Sequence, residues 1–236
     1  MLVNVRSFAE IWPPSAVSIT EHNLTLGVVT DSDLPGLVDL ALSGIHPPDV
    51  MPFAIPWSTA DPDVLPGNMV RYFSSVRAEF RPEKFALTFA VRIDTNLIGV
   101  QTFHTTDFAV TRTGETGSWL GIPHQSKGYG TRMRRAVCAF AFDALHAAEV
   151  TSGAFLDNPA SRAVSKKVGY LPNGTVRMRR REGELAINQK LVLTPETFVR
   201  GEPIEVAGAA ELRTFLGLDT PPQEQIVSGT MSPAGG

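Results

Sequence analysis

Apolar positions change period several times along the chain, and each change marks an element. Over residues 17–29 (VSITEHNLTLGVV), β-branched and apolar residues alternate as one or two strands require. Over 31–45 the spacing lengthens. Leu34, Leu37, Val38, Ala41, Leu42 and Ile45 fall at helical intervals behind an acidic first turn, which complements the helix dipole. The Pro-rich HPPDVMPFAIPW that follows cannot be regular, and a second helical pattern starts near Asn68 with Met69, Phe73, Val76 and Phe80. Residues 85–93 and 97–104 flank turn residues Asp94 to Asn96 and predict a hairpin, and 117–122 predicts a further strand.

Thr131 to Ala148 reads as a helix with Met133, Val137, Phe140, Ala144 and Leu145 on one face. A strand over 150–156, a short helix over 161–168 closed by Gly169, and a hairpin of 174–182 with 184–193 around Gly183 complete the pattern. Residues 199–218 read as an extra strand and helix that cover an edge or a partner. From Asp219 onward Pro, Gly, Ser and Gln dominate, which predicts a flexible tail. The expected organisation is a lead-in over 1–16, one domain over 17–198, an extension over 199–218 and a tail over 219–236.

With 236 residues, 43% of them hydrophobic, the chain can bury the core of one domain. A formal charge of -3 gives no overall pull toward nucleic acid or an anionic membrane, so neither is an expected partner. The one cysteine, Cys138, cannot form an intramolecular disulfide, and the N-terminus lacks a signal-peptide apolar region. No apolar run approaches the ~20 residues that span a bilayer. The expected location is therefore the cytoplasm. His22, His46, His104, His124 and His146 show no close metal-ligand spacing, and no metal is expected.

Chemistry enters with HQSKGYGTRM, residues 124–133. A strand, a glycine loop and a helix in that order leave unpaired backbone N–H groups at a positive helix end, where a phosphate fits. Gly-Lys-Ser/Thr does not follow as in a Walker A loop, and Met133 stands where a dinucleotide fingerprint needs its third glycine. On the loop alone, a tight turn that binds nothing fits as well.

Gln125-Ser126-Lys127-Gly128-Tyr129-Gly130 is similar to the Q/R-x-x-G-x-G/A loop of the GNAT acyltransferase superfamily. Asn158, Ser161 and the pair Gly169-Tyr170 resemble that family's second signature, in the expected order. The resemblance is closest to the branch containing the ribosomal-protein N-acetyltransferases and spans roughly residues 17–193. It implies a single α/β domain with a mixed, mostly antiparallel twisted sheet, splayed in the middle and flanked by helices. Acetyl-CoA or another acyl-CoA would be the co-substrate and would lie in the splay. The resemblance places the pyrophosphate on the amides of Gln125 to Thr131 and the pantetheine on Leu120, Gly121 and Ile122. Asn158 and Ser161 would hold the pantetheine chain. Lys127, Arg132 and Arg135 are either partners of the remaining CoA phosphate or solvated cations.

Acyl transfer from a thioester needs a neutral amine, whereas a lysine-type amine of pKa ~10.4 is charged at neutral pH. By resemblance Glu115, two residues before Gly117, faces the acceptor and serves as base; the alternative is an exposed carboxylate at a strand start. A backbone N–H near Leu120 would stabilise the oxyanion. Many superfamily members place a tyrosine acid where Ser165 stands, so Ser165 is a weak candidate acid or water-positioning residue, and Tyr170 is expected to pack. Cys138 is expected to be a small core side chain. Arg177, Arg179 and Arg181 alternate onto one solvated strand face. Phe53, Trp57 and Trp119 either line an acceptor or acyl pocket or anchor the Pro-rich loop.

The expected activity is acetyl transfer from acetyl-CoA to a small-molecule or protein amine by direct attack. Succinyl-CoA or another larger donor is the alternative, as are an acyl-CoA-binding module with weak catalysis and an interaction domain. The sequence leaves homo-oligomerisation open.

Overall fold

The computed structural model describes residues 5–219. A single helical turn, α1 (Phe8–Ile11), too short to carry a period, precedes β1 (Ser18–Glu21) and β2 (Leu24–Val28). Two helices, α2 (Leu34–Leu42) and α3 (Leu65–Ala78), bracket the irregular Pro-rich stretch. They are followed by β3 (Lys84–Ile93) and β4 (Asn96–Thr106), joined by the predicted turn, and by a one-turn helix α4 (Phe108–Thr111). After β5 (Thr113–Leu120) come α5 (Tyr129–Ala139), β6 (Glu149–Phe155) and α6 (Pro159–Val168). The hairpin β7 (Leu171–Arg181) and β8 (Glu184–Leu193), then β9 (Glu205–Ala207) and α7 (Ala209–Phe215), complete the order.

All nine strands share one sheet, ordered β7-β8-β6-β5-β4-β3-β2-β1-β9. Every pairing is antiparallel except β5 with β6. One face packs on α5, α6 and α7 through a core that includes Phe89, Phe103, Phe140, Val168 and Leu212; the other packs on α2 and α3 around Leu37, Met69 and Val100. The inner strand β3 is apolar almost throughout because both its faces are covered. At one edge β9 pairs with β1, so residues 199–218 do cover an edge.

Several boundaries move by up to three residues, and two differ by more. β5 starts at Thr113 rather than 117 because Gly114 lets the strand pass under a phenyl ring: a Cβ there would lie 2.2 Å from Phe103 Cζ. The long helix expected to Ala148 stops earlier. Phe140–Ala144 form a π-helical turn, His146 takes a positive φ of 57°, and Ala148 N–H donates to Arg112 O, which returns the chain to the sheet. The tail expected over 219–236 lies outside the described residues apart from Asp219.

Candidate active site

The sheet opens between β5 and β6. Their parallel register ends at Thr116 with Ser152; beyond it, β5 continues on β4 through Gly117–Leu120 and β6 continues on β8 through Gly153–Phe155. Gly121 N–H donates to Ile98 O, which sets the phase of the β5 ladder. Odd-numbered residues of β5 bond β4, and even-numbered peptide groups point toward β6. Past Thr116 those groups belong to Ser118 and Leu120, so a polar strand edge lines the open side. Leu120 O is already taken, accepting from Gln125 Nε2 at 2.8 Å, and the same nitrogen donates to Ile45 O. The N–H groups of Gly121 and Ile122 donate to Ile98 O and Gly44 O. Of the three residues expected to pair with pantetheine, only Leu120 keeps a peptide N–H aimed into the opening.

Directly after β5, the glycine loop enters α5. Ser126 and Gly128 have φ of 58° and 84°, a left-handed backbone that glycine adopts freely, and Gly128 is the N-cap. The N–H groups of Ser126, Lys127, Gly128, Tyr129 and Gly130 donate to no acceptor among the described residues. Gln125 N–H instead donates to Ile122 O and Thr131 N–H to Gly128 O, so the ends of the predicted amide run are closed. What remains is a row of free donors at the positive end of a helix, where a negative charge is favoured. Burial and the nearby Lys127 cation lower the His124 imidazole pKa. Arg132 is spent elsewhere: its Nε donates to buried Glu21 Oε1 at 2.8 Å. Arg135 donates to Lys167 O at the end of α6.

Across the opening, Asn158 caps α6 by accepting from Ser161 N–H at 3.0 Å through Oδ1. Ser165, the weak candidate acid or water-positioning residue, lies on α6. It is 1% exposed, and its hydroxyl donates to Ser161 O at 3.0 Å. Tyr170 packs as expected and adds a polar contact, its OH lying 2.9 Å from Thr116 Oγ1.

Glu115 and Trp119 lie on the other face of the sheet. Glu115 is half-buried, opposite His104 on β4, with Lys190 Nζ 3.9 Å from Oε1. The Pro-rich loop returns over this face: the Phe53 ring lies tilted against Trp57 with centroids 5.3 Å apart, and Trp57 lies tilted against Trp119 at 5.7 Å. The three aromatics therefore come together beside the strand that carries Glu115. Arg177 and Arg179 are exposed as expected, but Arg181 is half-buried beside Glu184, and Arg180 is drawn in, pairing with Asp157 and Glu184 over the Phe155 ring.

Sequence reasoning missed Ser118, Gln101 and Arg134. On the α5 side of the opening, Arg134 donates to Ser118 Oγ at 3.0 Å and to Ser152 Oγ at 3.1 Å, bridging the diverging strands. Its helical phase was a usable signal, because Arg134, Val137, Cys138 and Ala141 share one buried face. Among the described residues, no cluster of His, Cys, Asp or Glu could hold a metal ion, and no helix is long and apolar enough to cross a membrane.

The profile of the acetyltransferase (GNAT) domain family matches residues 23–171. The chain belongs to the GNAT acetyltransferase family. Over 84 residues it is 33% identical to the Bacillus subtilis (strain 168) protein named "Putative ribosomal N-acetyltransferase YdaF", a match covering 36% of this chain and 45% of that relative. The chain thus spans less than half of that curated relative. The fold is similar to that of Mycobacterium smegmatis RimJ in complex with CoA-disulfide, with a TM-score of 0.61 and 19% identity, covering 86% of this chain and 95% of that one. It is also similar to the microcin C7 self-immunity acetyltransferase MccE in complex with acetyl-CoA and AMP, with a TM-score of 0.60 and 18% identity, covering 74% and 93%.

Proposed function

We propose that the protein transfers an acetyl group from acetyl-CoA to a primary amine by direct attack. The observation that carries this reading is the run of unpartnered amides from Ser126 to Gly130, set at the mouth of the opening between β5 and β6. The diphosphate would rest on those amides and on the α5 N-terminus. The pantetheine would follow the even-numbered β5 peptides, with Asn158 Nδ2 and Ser161 Oγ across from it. Trapped between the strands, the thioester would meet the Leu120 N–H as an oxyanion donor. The amine would arrive from the face of Trp57, Trp119 and Glu115, where Glu115, directly or through water, takes its proton. The acceptor is a small amine or a protein amine, in the cytoplasm, and no metal takes part.

Lys190, a half-buried base on the acceptor side, favours a second reading with a dicarboxylic donor such as succinyl-CoA. Calorimetric titration with acetyl-CoA, succinyl-CoA and CoA, followed by mass spectrometry of a primary-amine panel, tests both. The proposal expects binding of CoA itself and acetylated products. Absence of CoA binding would overturn it, and preferred succinylation would replace the first reading with the second.

A further inference from the structure

We propose that the Ser118 hydroxyl is the hydrogen-bond donor to the sulfur leaving the thioester, polarised for that task by the buried guanidinium of Arg134. The inference rests on the reading that the acyl-CoA thioester lies between β5 and β6.

Arg134 is 4% exposed and pairs with no carboxylate among the described residues. Its Nε has no partner, and neither has the Oε1 of Gln101, the residue opposite Ser118 on β4. A guanidinium held in the interior by two hydroxyls alone is costly, so a positive charge there calls for a compensating role. The groups facing it do not supply an anion. From α5 itself comes Cys138, whose thiol burial pushes up to about 11; ahead of β7 comes Tyr170, whose phenol burial raises well above its ordinary value. From β4, β5 and β6 come only Gln101, Thr116, Ser118 and Ser152, none of them ionisable in this range. Glu115 and Lys190 sit on the opposite face of the sheet.

Hydroxyl bookkeeping singles out Ser118. Ser152 accepts from Arg134 and donates to Thr116 O at 3.2 Å, so both its roles are filled. Ser118 accepts from Arg134 and donates to nothing among the described residues. It is half-buried, two residues past the last β5–β6 pair, where the strand has already left its neighbour. In the reaction, the amine nitrogen forms the C–N bond while the carbonyl π pair moves to oxygen. Collapse restores C=O and breaks C–S, and that electron pair stays on sulfur. The amine gives up one proton to Glu115 or water, and the thiolate takes one from solvent after it departs. Negative charge thus develops on sulfur beside a donor already bonded to a cation, the arrangement in which hydrogen bonds are strongest. Ser118 would be a catalytic residue and Arg134 a positioning residue.

The test reads the sulfur directly and needs no acceptor. CoA and desulfo-CoA are titrated into the protein between pH 6.5 and 9.5, and the ratio of their affinities isolates the thiol. A free thiol has a pKa of ~8.5. Stabilisation of the bound thiolate by one pKa unit makes CoA about tenfold tighter relative to desulfo-CoA at the top of this range. Wild type is expected to show that rise, and Ser118→Ala and Arg134→Met to lose it. Ser118→Ala alone decides the matter if Arg134→Met does not fold. A flat ratio in wild type, or an equal rise in Ser118→Ala, overturns the inference while leaving CoA binding intact. Failure of both ligands to bind removes the underlying reading and the inference together.

Discussion

Arg132→Met separates two uses of one side chain. On the loop's first helical turn, a cation looks like a phosphate partner, yet the structure sets Arg132 against Glu21, which is 3% exposed, through Nε at 2.8 Å and through a second bond to Glu21 O at 3.2 Å. Methionine keeps the aliphatic stem and removes the charge, leaving a carboxylate inside the protein with nothing to offset it. Breaking a buried pair in this way costs about 3–5 kcal/mol, and since the Arg132 side chain is 29% exposed we place the cost near the lower bound, about 3 kcal/mol. In a domain of this size that lowers Tm by roughly 6–12 °C. Urea unfolding of wild type, Arg132→Met and the double variant Glu21→Gln/Arg132→Met measures it, and the second change should restore a large part of the loss by removing the stranded charge. CoA affinity should stay within about threefold of wild type, since the amides rather than Arg132 carry the diphosphate. A loss under about 1 kcal/mol together with a tenfold weaker CoA complex would refute the reasoning and return Arg132 to the cofactor.

Glu115→Gln should leave acetyl-CoA affinity unchanged and slow transfer to an amine by roughly 10²-fold or more, read from single-turnover rates; an unchanged rate removes Glu115 as base. Gly128→Val forces a branched side chain into a left-handed backbone, with an expected stability loss of about 1–2 kcal/mol and CoA binding weakened at least tenfold by calorimetry. Trp119→Ala should raise the KM for the amine while CoA binding persists, because the ring faces the acceptor side; the reverse pattern would place it on the donor. Burial raises the Cys138 pKa, so its contribution to stability is complete below the unfolded-state value and fades as pH climbs toward 11, by roughly 2–3 kcal/mol in total. Cys138→Ser should flatten that alkaline loss in chemical denaturation, and native Cys138 should resist thiol reagents at pH 8.

The parts of the site that could be read from the chain are those whose geometry is local. The loop from Gln125 to Gly130 and the cap formed by Asn158 on Ser161 each depend on a few consecutive residues, and both stand where their motifs place them. The helical and strand periods located nearly every long element. α1 and α4 are single turns with no period to detect. Strand pairing is not local, so the parting of β5 and β6 after Thr116 was implied by family resemblance alone.

Side-chain commitments were the least legible. Nothing in the sequence says that Gln125 turns back to Leu120 O and Ile45 O, that Arg132 crosses to Glu21, or that Ser165 bonds its own helix. Each is a competition between a ligand and a nearby protein partner, decided only once the strands are in register. Arg134 was passed over between two other basic residues, although its helical phase set it apart as the one facing inward.

The central claim is that a CoA diphosphate rests on the amides of the glycine loop. Backbone amide NMR of isotope-labelled protein titrated with CoA tests it most directly. The account predicts that the N–H signals of Ser126 to Gly130 shift furthest and become the most protected from exchange at saturation. Signals from those residues that stay unmoved while CoA binds, with the largest changes elsewhere, would contradict it.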